Sequence, residues 1–167
     1  MKFKVGDKLV HSGQIYRIFK IEKKKTIFFK PYLKTRKNRT LIYSIPLSNI
    51  DKTNIRKPIS KKELRPLLKK LSKKSDIKKP INLAQAKGIL NLNDIDKTAQ
   101  VLKSLWIEKN DESTNFSESR KNVFKLLMKQ LVEEVACASG IPLVKARGKI
   151  KTALVASKIN FLGPKMN

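Results

Sequence analysis

The spacing of apolar and polar positions changes about one third of the way along the chain. Up to residue 58 the apolar residues are largely β-branched or aromatic, and they form short runs separated by basic or glycine-containing turns. Such runs are typical of strands. From residue 60 onward the apolar residues recur three and four apart, which is the period of a helix. The pattern predicts strands first and helices second.

Four or five short strands are predicted within residues 1–58. The candidate runs are FKVGDKLV, IYRIFKI, TIFFKPYL and TLIYSIPL. A Gly6-Asp7 turn, a charged turn at residues 23–25 and a basic turn at residues 34–39 separate them. Short strands with tight turns favour a small curled sheet or barrel, so residues 1–58 are predicted to be a β-rich domain.

A capping box begins the first predicted helix. Ser60 is followed three residues later by Glu63, a pair whose side chains accept hydrogen bonds from backbone N–H groups of the first turn. Because Pro66 has no N–H, we expect it to kink the first turn or to delay the regular helix until about residue 66. Residues 59–79 are predicted to be a basic linker helix and linker. Its apolar positions at helical spacing are Leu64, Leu67, Leu68 and Leu71.

Residues 80–163 are predicted to be a helical domain. A short helix interrupted by Gly88 comes first, and the later helices carry recognisable end signals. Trp106 and Cys137 lie among apolar positions, so both are interpreted as core residues. The end signals are N-caps at Asp94 and Ser117, a helix stop at Gly140, and Pro142 in the first turn of a last helix.

Charge is the strongest compositional signal. The 167 residues include 39 Lys or Arg and 13 Asp or Glu, a formal net charge of +26. Residues 1–50, 51–100 and 101–167 contribute +11, +9 and +6, so no part is acidic. Such a surplus repels itself and attracts polyanions, of which nucleic acid is the commonest. Compositional drift toward Lys, Ile and Asn from an AT-rich coding sequence is the alternative explanation.

Residues 52–79 concentrate this charge, with twelve Lys or Arg and two Asp or Glu. Lysines three or four apart share a helix face, which favours a stripe that follows phosphates over an ordinary solvated face. Binding through such a stripe should depend steeply on salt and tolerate many sequences. The lysines of the predicted stripe are Lys69, Lys70, Lys73, Lys74, Lys78 and Lys79.

No pattern predicts an enzyme, a cofactor or a metal site. His11 is the only histidine and is interpreted as a surface or structural residue, and Cys137 has no partner for a disulfide. The acidic residues at positions 94, 96, 133 and 134 are explained by helix capping and solvation. A Gly-rich phosphate loop and a nucleophile elbow are missing. With no membrane-length apolar run and no signal-peptide core, we expect a cytoplasmic protein.

The chain resembles the CarD family of bacterial transcription regulators, whose N-terminal domain is related to the polymerase-interacting domain of the transcription-repair coupling factor. FKVGDKLV and IYSIPLSNIDKTNIRKPIS resemble the start of that domain and its passage into the linker helix. DIDKTAQVLKSLW and FSESRKNVFKLLMKQLVEEVA resemble two helices of its second domain. The resemblance implies an α+β fold: a small Tudor-like β-sheet or barrel module followed by an all-helical C-terminal domain.

The resemblance also implies two partners. The N-terminal domain would bind the β subunit of RNA polymerase, and the helical domain would contact double-stranded promoter DNA, mostly at its backbone, to modulate open-complex formation. Lys87 would join the lysine stripe on the DNA side. Relatives can use an Arg where this chain has Ser44. The implied polymerase-binding residues are Lys23, Lys24, Tyr43, Ser44 and Ile45.

Relatives place a tryptophan wedge at the start of the helical domain, where an apolar ring props against an unstacked base step. Residues 78–87 hold no aromatic residue. Ile81 and Leu83 are the candidates for a weaker wedge, and phosphate contact alone is the favoured expectation.

Two other functions fit the charge. An architectural or nucleoid-type DNA-binding protein would act without polymerase docking. An RNA- or ribosome-associated protein would need an exposed aromatic platform, which the sequence does not predict. In the favoured interpretation the protein is a bacterial, nucleoid-associated monomer in the cytoplasm, with no membrane partner.

Overall fold

A computed structural model describes residues 3–23, 25–73 and 81–159. Within these ranges the chain divides into two compact units. The β unit comprises the residues up to Pro58 together with Asn91–Asn93, and the helical unit comprises Ile59–Leu90 and the residues from Asp94 onward. The predicted α+β fold, with a sheet first and helices afterwards, is confirmed.

The β unit is built on a four-stranded antiparallel sheet that curls into a half-barrel, with neighbouring strands consecutive in sequence. Leu9, Tyr16 and Ile18 of the first two strands face its core, as do Ile27 and Phe29 of the third. A 3-10 helix, Leu47–Lys52, follows the sheet. The strands are β1 (Lys8–His11), β2 (Gln14–Glu22), β3 (Thr26–Pro31) and β4 (Tyr43–Pro46).

The outer edge of β1 is covered. Val10 and Arg56 exchange both of their backbone hydrogen bonds, at 2.8 and 3.2 Å. The side chain of Asn93, which is 6% exposed, donates from Nδ2 to the carbonyl oxygens of Val10 and Asn54. Arg56 in turn donates from Nε to the carbonyl oxygen of Asn93. These bonds satisfy backbone groups that an edge strand would otherwise leave open.

Five helices are found among the described residues, and all but the end of the second lie in the helical unit. The predicted caps are confirmed at Ser60 with Glu63, at Asp94 and at Ser117. Gly140 ends a helix in the left-handed conformation, with φ of 66°. The helices are α1 (Lys61–Ser72), α2 (Leu83–Leu92), α3 (Ile95–Lys109), α4 (Glu118–Ser139) and α5 (Leu143–Ile159).

Helix α1 differs from its prediction in one respect. It begins at Lys61 and continues through Pro66, so the predicted delay is wrong. The capping box orders the first turn upstream of the proline, and the missing N–H costs only one later bond. Of the predicted basic linker helix and linker over residues 59–79, the described part, 59–73, groups with the helical unit. Its apolar face packs there because Leu64, Leu67 and Leu71 are buried.

The core of the helical unit combines residues from α1, α3, α4 and α5. Trp106 is half-buried against this core, and its ring stacks beside that of Phe124 with centroids 6.3 Å apart. Trp106 is therefore a core-edge residue, close to its interpretation from sequence. Cys137 is half-buried in α4. In the described ranges, none of the helices combines the length and the apolarity needed to cross a bilayer.

Candidate functional site

Strand β4 is the open edge of the sheet. It pairs with β3 on one side, and no described strand pairs with its other side. The N–H of Leu47 donates to the carbonyl oxygen of Lys25 at 2.7 Å, which continues the β3–β4 ladder by one residue. Because bonded and non-bonded pairs alternate in an antiparallel ladder, Tyr43 and Ile45 bond toward β3 and Ser44 turns its backbone outward.

Few backbone hydrogen-bonding groups of β4 point away from β3. Ser44 presents one N–H and one C=O at the open edge. Pro46 presents only a C=O, since proline has no N–H, and such a residue limits indiscriminate pairing with other strands. The edge can therefore accept one short strand in a defined register around Ser44.

The structure separates the predicted polymerase-binding residues. Tyr43 stacks on Phe29 with centroids 5.7 Å apart, and Ile45 packs against the same core, so both are half-buried. Lys23 is exposed in the turn after β2, with φ of 45°, and Ser44 is exposed on β4. Lys24 lies outside the described residues. Of the described members of this set, Lys23 and Ser44 are therefore the exposed ones.

Two apolar residues beside β4 extend this surface. Leu41 is 42% exposed and Ile42 is 64% exposed, directly before the strand begins. Both lie within the run TLIYSIPL that predicts a strand, so the sequence pattern does not mark them as surface residues. Exposed apolar side chains next to an open edge are common at protein interfaces.

The described lysines of the predicted stripe lie in different surroundings. Lys69 is exposed, whereas the Nζ of Lys70 forms an ion pair with Oδ1 of Asp96 at 2.6 Å. The backbone carbonyls of Lys70 and Lys73 accept hydrogen bonds from the Nζ of Lys103. Burial, and then the charge of Lys73, lower the pKa of Lys103. Lys70 is thus partly neutralised within the chain.

The structure describes only some of the other residues that were predicted to contact DNA. Lys87 is exposed on α2. Lys74, Lys78 and Lys79 lie outside the described residues. Ile81 and Leu83, the candidates for a weaker wedge, are half-buried and pack against the core of the helical unit.

Lys69 instead joins a cationic groove between α1 and α5. Its floor is apolar and includes Leu68, Ala153 and Ala156. Four basic residues line it, two from each helix, and no carboxylate is found among the described residues that line it. We call it the α1–α5 groove; its basic residues are Arg65, Lys69, Lys145 and Lys149.

Three of the four groove cations were not among the residues predicted from the sequence. Lys145 and Lys149 are four residues apart, a spacing that places them on one helix face and that was visible in the sequence. Arg65 and Lys69 have the same spacing on α1. Their meeting depends on which face of α1 packs against α5, and helical periodicity does not decide that. No protein-family model and no curated protein matches the chain.

Acidic residues and His11 have structural surroundings in the described ranges. His11 lies 6.3 Å from the ring centroids of both Tyr16 and Phe29. No group of three or more His, Cys, Asp or Glu side chains there is arranged to hold a metal ion. The Asp94 carboxylate accepts from the N–H groups of Asp96 and Lys97, as a helix cap does.

Proposed function

We propose that this chain is a transcription regulator of the CarD type. The β unit binds the β subunit of bacterial RNA polymerase through strand β4, and the helical unit binds the backbone of promoter DNA. The protein acts by binding alone, with no catalytic step. The observation that carries the proposal is the open β4 edge, set in a sheet whose opposite edge is covered by Arg56.

Docking at β4 takes the form of strand addition. An edge strand of the polymerase subunit pairs with the N–H and C=O of Ser44, and main-chain hydrogen bonds supply the register. Leu41, Ile42 and Lys23 give the contact its side-chain specificity, because all three are exposed near the strand. An arginine at position 44 is not required for this pairing.

DNA contact falls to the basic residues of the helical unit. The four cations of the α1–α5 groove have no carboxylate beside them in its described lining, so phosphate oxygens are their natural ligands. Contacts to phosphate fix position without selecting sequence. The expected binding is therefore sequence-tolerant and strongly salt-dependent.

The two contacts together make a tether. Polymerase docking raises the effective concentration of the helical unit near promoter DNA, so weak phosphate contacts become sufficient. The tether shifts the balance between closed and open complexes only if it binds the two states with unequal affinity. Activation or repression then follows from which step limits a given promoter.

Ser44→Pro tests the docking step. The substitution removes the outward N–H and leaves the bonds from β4 to β3 intact, so the sheet should persist. We expect binding of the full chain to the isolated polymerase β subunit to weaken about tenfold or more, measured by biolayer interferometry at moderate salt. The matched control, Ser44→Ala, keeps the backbone N–H and should bind like the unaltered chain.

If Ser44→Pro and Ser44→Ala bind the polymerase β subunit equally well, β4 is not part of the contact. Absence of any binding by the unaltered chain would defeat polymerase docking as a whole. Retained duplex binding in that case would favour the architectural DNA-binding function, because the α1–α5 groove does not depend on β4.

A further inference from the structure

The outer face of the sheet, opposite the core of the β unit, carries a row of cations. Arg17 pairs with Lys8 on one side and with Lys30 on the other. Side chains of residues paired across strands point to the same face. The neighbouring pair Leu9 and Tyr16 faces the core, so alternation along each strand turns the Lys8, Arg17 and Lys30 side chains outward.

Such a row is unfavourable for the chain by itself. Like charges directly opposite one another in a sheet are destabilising. Among the described residues, neither Arg17 nor Lys30 forms an ion pair with a carboxylate. An anionic ligand that bridges adjacent strands would remove this repulsion.

Two phenylalanine rings lie on the same face. Phe19 and Phe28 are half-buried, their ring centroids are 6.4 Å apart, and neither belongs to the core cluster of the β unit. The ladder between β2 and β3 is irregular between Ile18 and Lys20, so Phe19 and Lys20 both lie opposite Phe28. This bulge brings an additional ring onto the cationic face.

A cation accompanies each aromatic ring of the face. The Nζ of Lys30 lies 5.1 Å from the centroid of Phe19, and the Nζ of Lys20 lies 5.2 Å from that of Phe28. Farther along, the Nζ of Lys8 lies 4.0 Å from the ring centroid of Tyr32, which is 38% exposed. Each of these three rings, on β2, on β3 and directly after β3, therefore has a lysine beside it.

We propose that this face, the Phe19–Phe28 platform, binds single-stranded nucleic acid. Unpaired bases stack on the phenylalanine rings while the backbone phosphates contact Arg17 and Lys30, and stacking of this kind tolerates any base. A duplex keeps its bases stacked inside and would reach only the cations. A protein partner lacks the regular array of phosphates that the row of cations suits.

The platform goes beyond the proposed function, because it is a sheet face and polymerase docking is assigned to a sheet edge. Its ligand chemistry is common to single-stranded DNA and single-stranded RNA. The sequence predicts no aromatic platform, because β2 carries apolar residues on both faces and no sequence pattern reveals the bulge that brings Phe19 beside Phe28.

The first test compares ligands on the unaltered full chain by fluorescence anisotropy. The probes are a 12-nucleotide mixed-sequence single strand, as DNA and as RNA, an abasic DNA strand with the same number of phosphates, and the matching DNA duplex. We expect a strand with bases to bind at least about fivefold more tightly than the abasic strand, since stacking is worth about fivefold or more per base. Equal binding of abasic and base-carrying strands, for both DNA and RNA, would overturn the platform.

The second test removes the rings. Phe19→Leu combined with Phe28→Leu keeps apolar side chains on the face, so the affinity for the single strand should fall to that for the abasic strand. Duplex binding should be unchanged, because it depends on the α1–α5 groove, and an unchanged strand signal in far-UV circular dichroism shows that the β unit folds. Lys145→Gln combined with Lys149→Gln is the matched control: it should weaken duplex binding and preserve the preference for bases over abasic sites.

The two-leucine variant overturns the proposal if it keeps the preference for base-carrying strands, or if it loses single-strand and duplex binding to the same extent. Retention on the polymerase β subunit reports the proposed function separately, because it depends on Ser44. The two proposals can therefore fail independently.

Discussion

At the scale of single residues, a buried ion pair fixes Ile81 in the helical unit. Its N–H donates to Oε1 of Glu108 at 2.6 Å, and its carbonyl oxygen accepts from the guanidinium of Arg120 at 3.0 Å. Arg120 also donates to Oε2 of Glu108. The Glu108 and Arg120 side chains therefore pair with each other and also satisfy the N–H and C=O groups of Ile81. Ile81 has a structural role.

Glu108→Gln should destabilise the protein by about 3 kcal/mol. The glutamate and arginine side chains are 6% and 19% exposed, and removing one charge of a buried pair leaves the other uncompensated. Urea denaturation followed by circular dichroism measures the loss. In the double variant Glu108→Gln, Arg120→Gln part of that loss should be recovered; strictly additive losses would show that the pair is not coupled.

Glu133 should give the protein a specific pH dependence. Burial raises the pKa of its carboxyl group, with a partial offset from Lys129, whose Nζ lies 3.9 Å away. The folded state therefore holds this proton more tightly than the unfolded state. The resulting stabilisation is complete below the ordinary pKa of 4.5 and is lost as the pH rises through the folded value.

The Glu133→Gln variant lacks this carboxyl group, so it does not lose stability in this way as the pH rises. The free energy of unfolding of the variant, minus that of the unaltered chain, should therefore increase between about pH 4 and pH 7. Denaturant titrations at several pH values measure the difference. A flat profile for Glu133→Gln would contradict a raised pKa.

At the scale of elements, α1 is held at its start by two carboxylates. The N–H of Ile59 donates to Oε1 of the buried Glu134 at 2.9 Å, and the N–H of Ser60 donates to Oε2 of Glu63 at 2.7 Å. The Ser60 hydroxyl accepts from the N–H of Glu63. The bond from Ile59 to Glu134 joins the residue before the N-cap to α4. Because the two residues are far apart in sequence, no local pattern reveals this bond.

Ser60→Ala should cost about 1 kcal/mol of stability, because it leaves a first-turn N–H without its acceptor. Thermal or urea unfolding measures the change. Ser104→Ala is a suitable control, since that exposed hydroxyl bonds only to the carbonyl of Gln100 within α3. Ser104→Ala should lower the free energy of unfolding by less than half of the loss expected for Ser60→Ala. Similar costs for the two variants would mean that the cap contributes little to stability.

At the scale of the whole molecule, the charge of +26 should govern association with duplex DNA. We expect the logarithm of the association constant to fall linearly with the logarithm of salt concentration. Lys145→Gln combined with Lys149→Gln should reduce the magnitude of the slope by about two, one unit for each lost phosphate contact. Titrations at four or more salt concentrations measure it.

Lys121→Gln is the control for this slope. Lys121 already forms an ion pair with Glu118 at 3.2 Å, so its loss should change the slope by less than one unit. If the double groove variant changes the slope no more than this control does, the α1–α5 groove is not the duplex-binding surface.

The sequence by itself determined the α+β architecture, the helix caps and the cationic character of the protein. These features are local: a cap needs residues three apart, and hydrophobic periodicity needs one element at a time. The confirmed caps at Ser60, Asp94 and Ser117 each depend on neighbours in the chain.

Only the tertiary structure decided which groups meet. It covers β1 and leaves β4 open, pairs Lys70 with Asp96, brings Lys69 to the cations of α5, and places Phe19 beside Phe28. Each of these outcomes depends on packing between residues far apart in sequence or on a ladder irregularity. Periodicity specifies which face of an element is apolar, but it does not specify the partner against which that face packs.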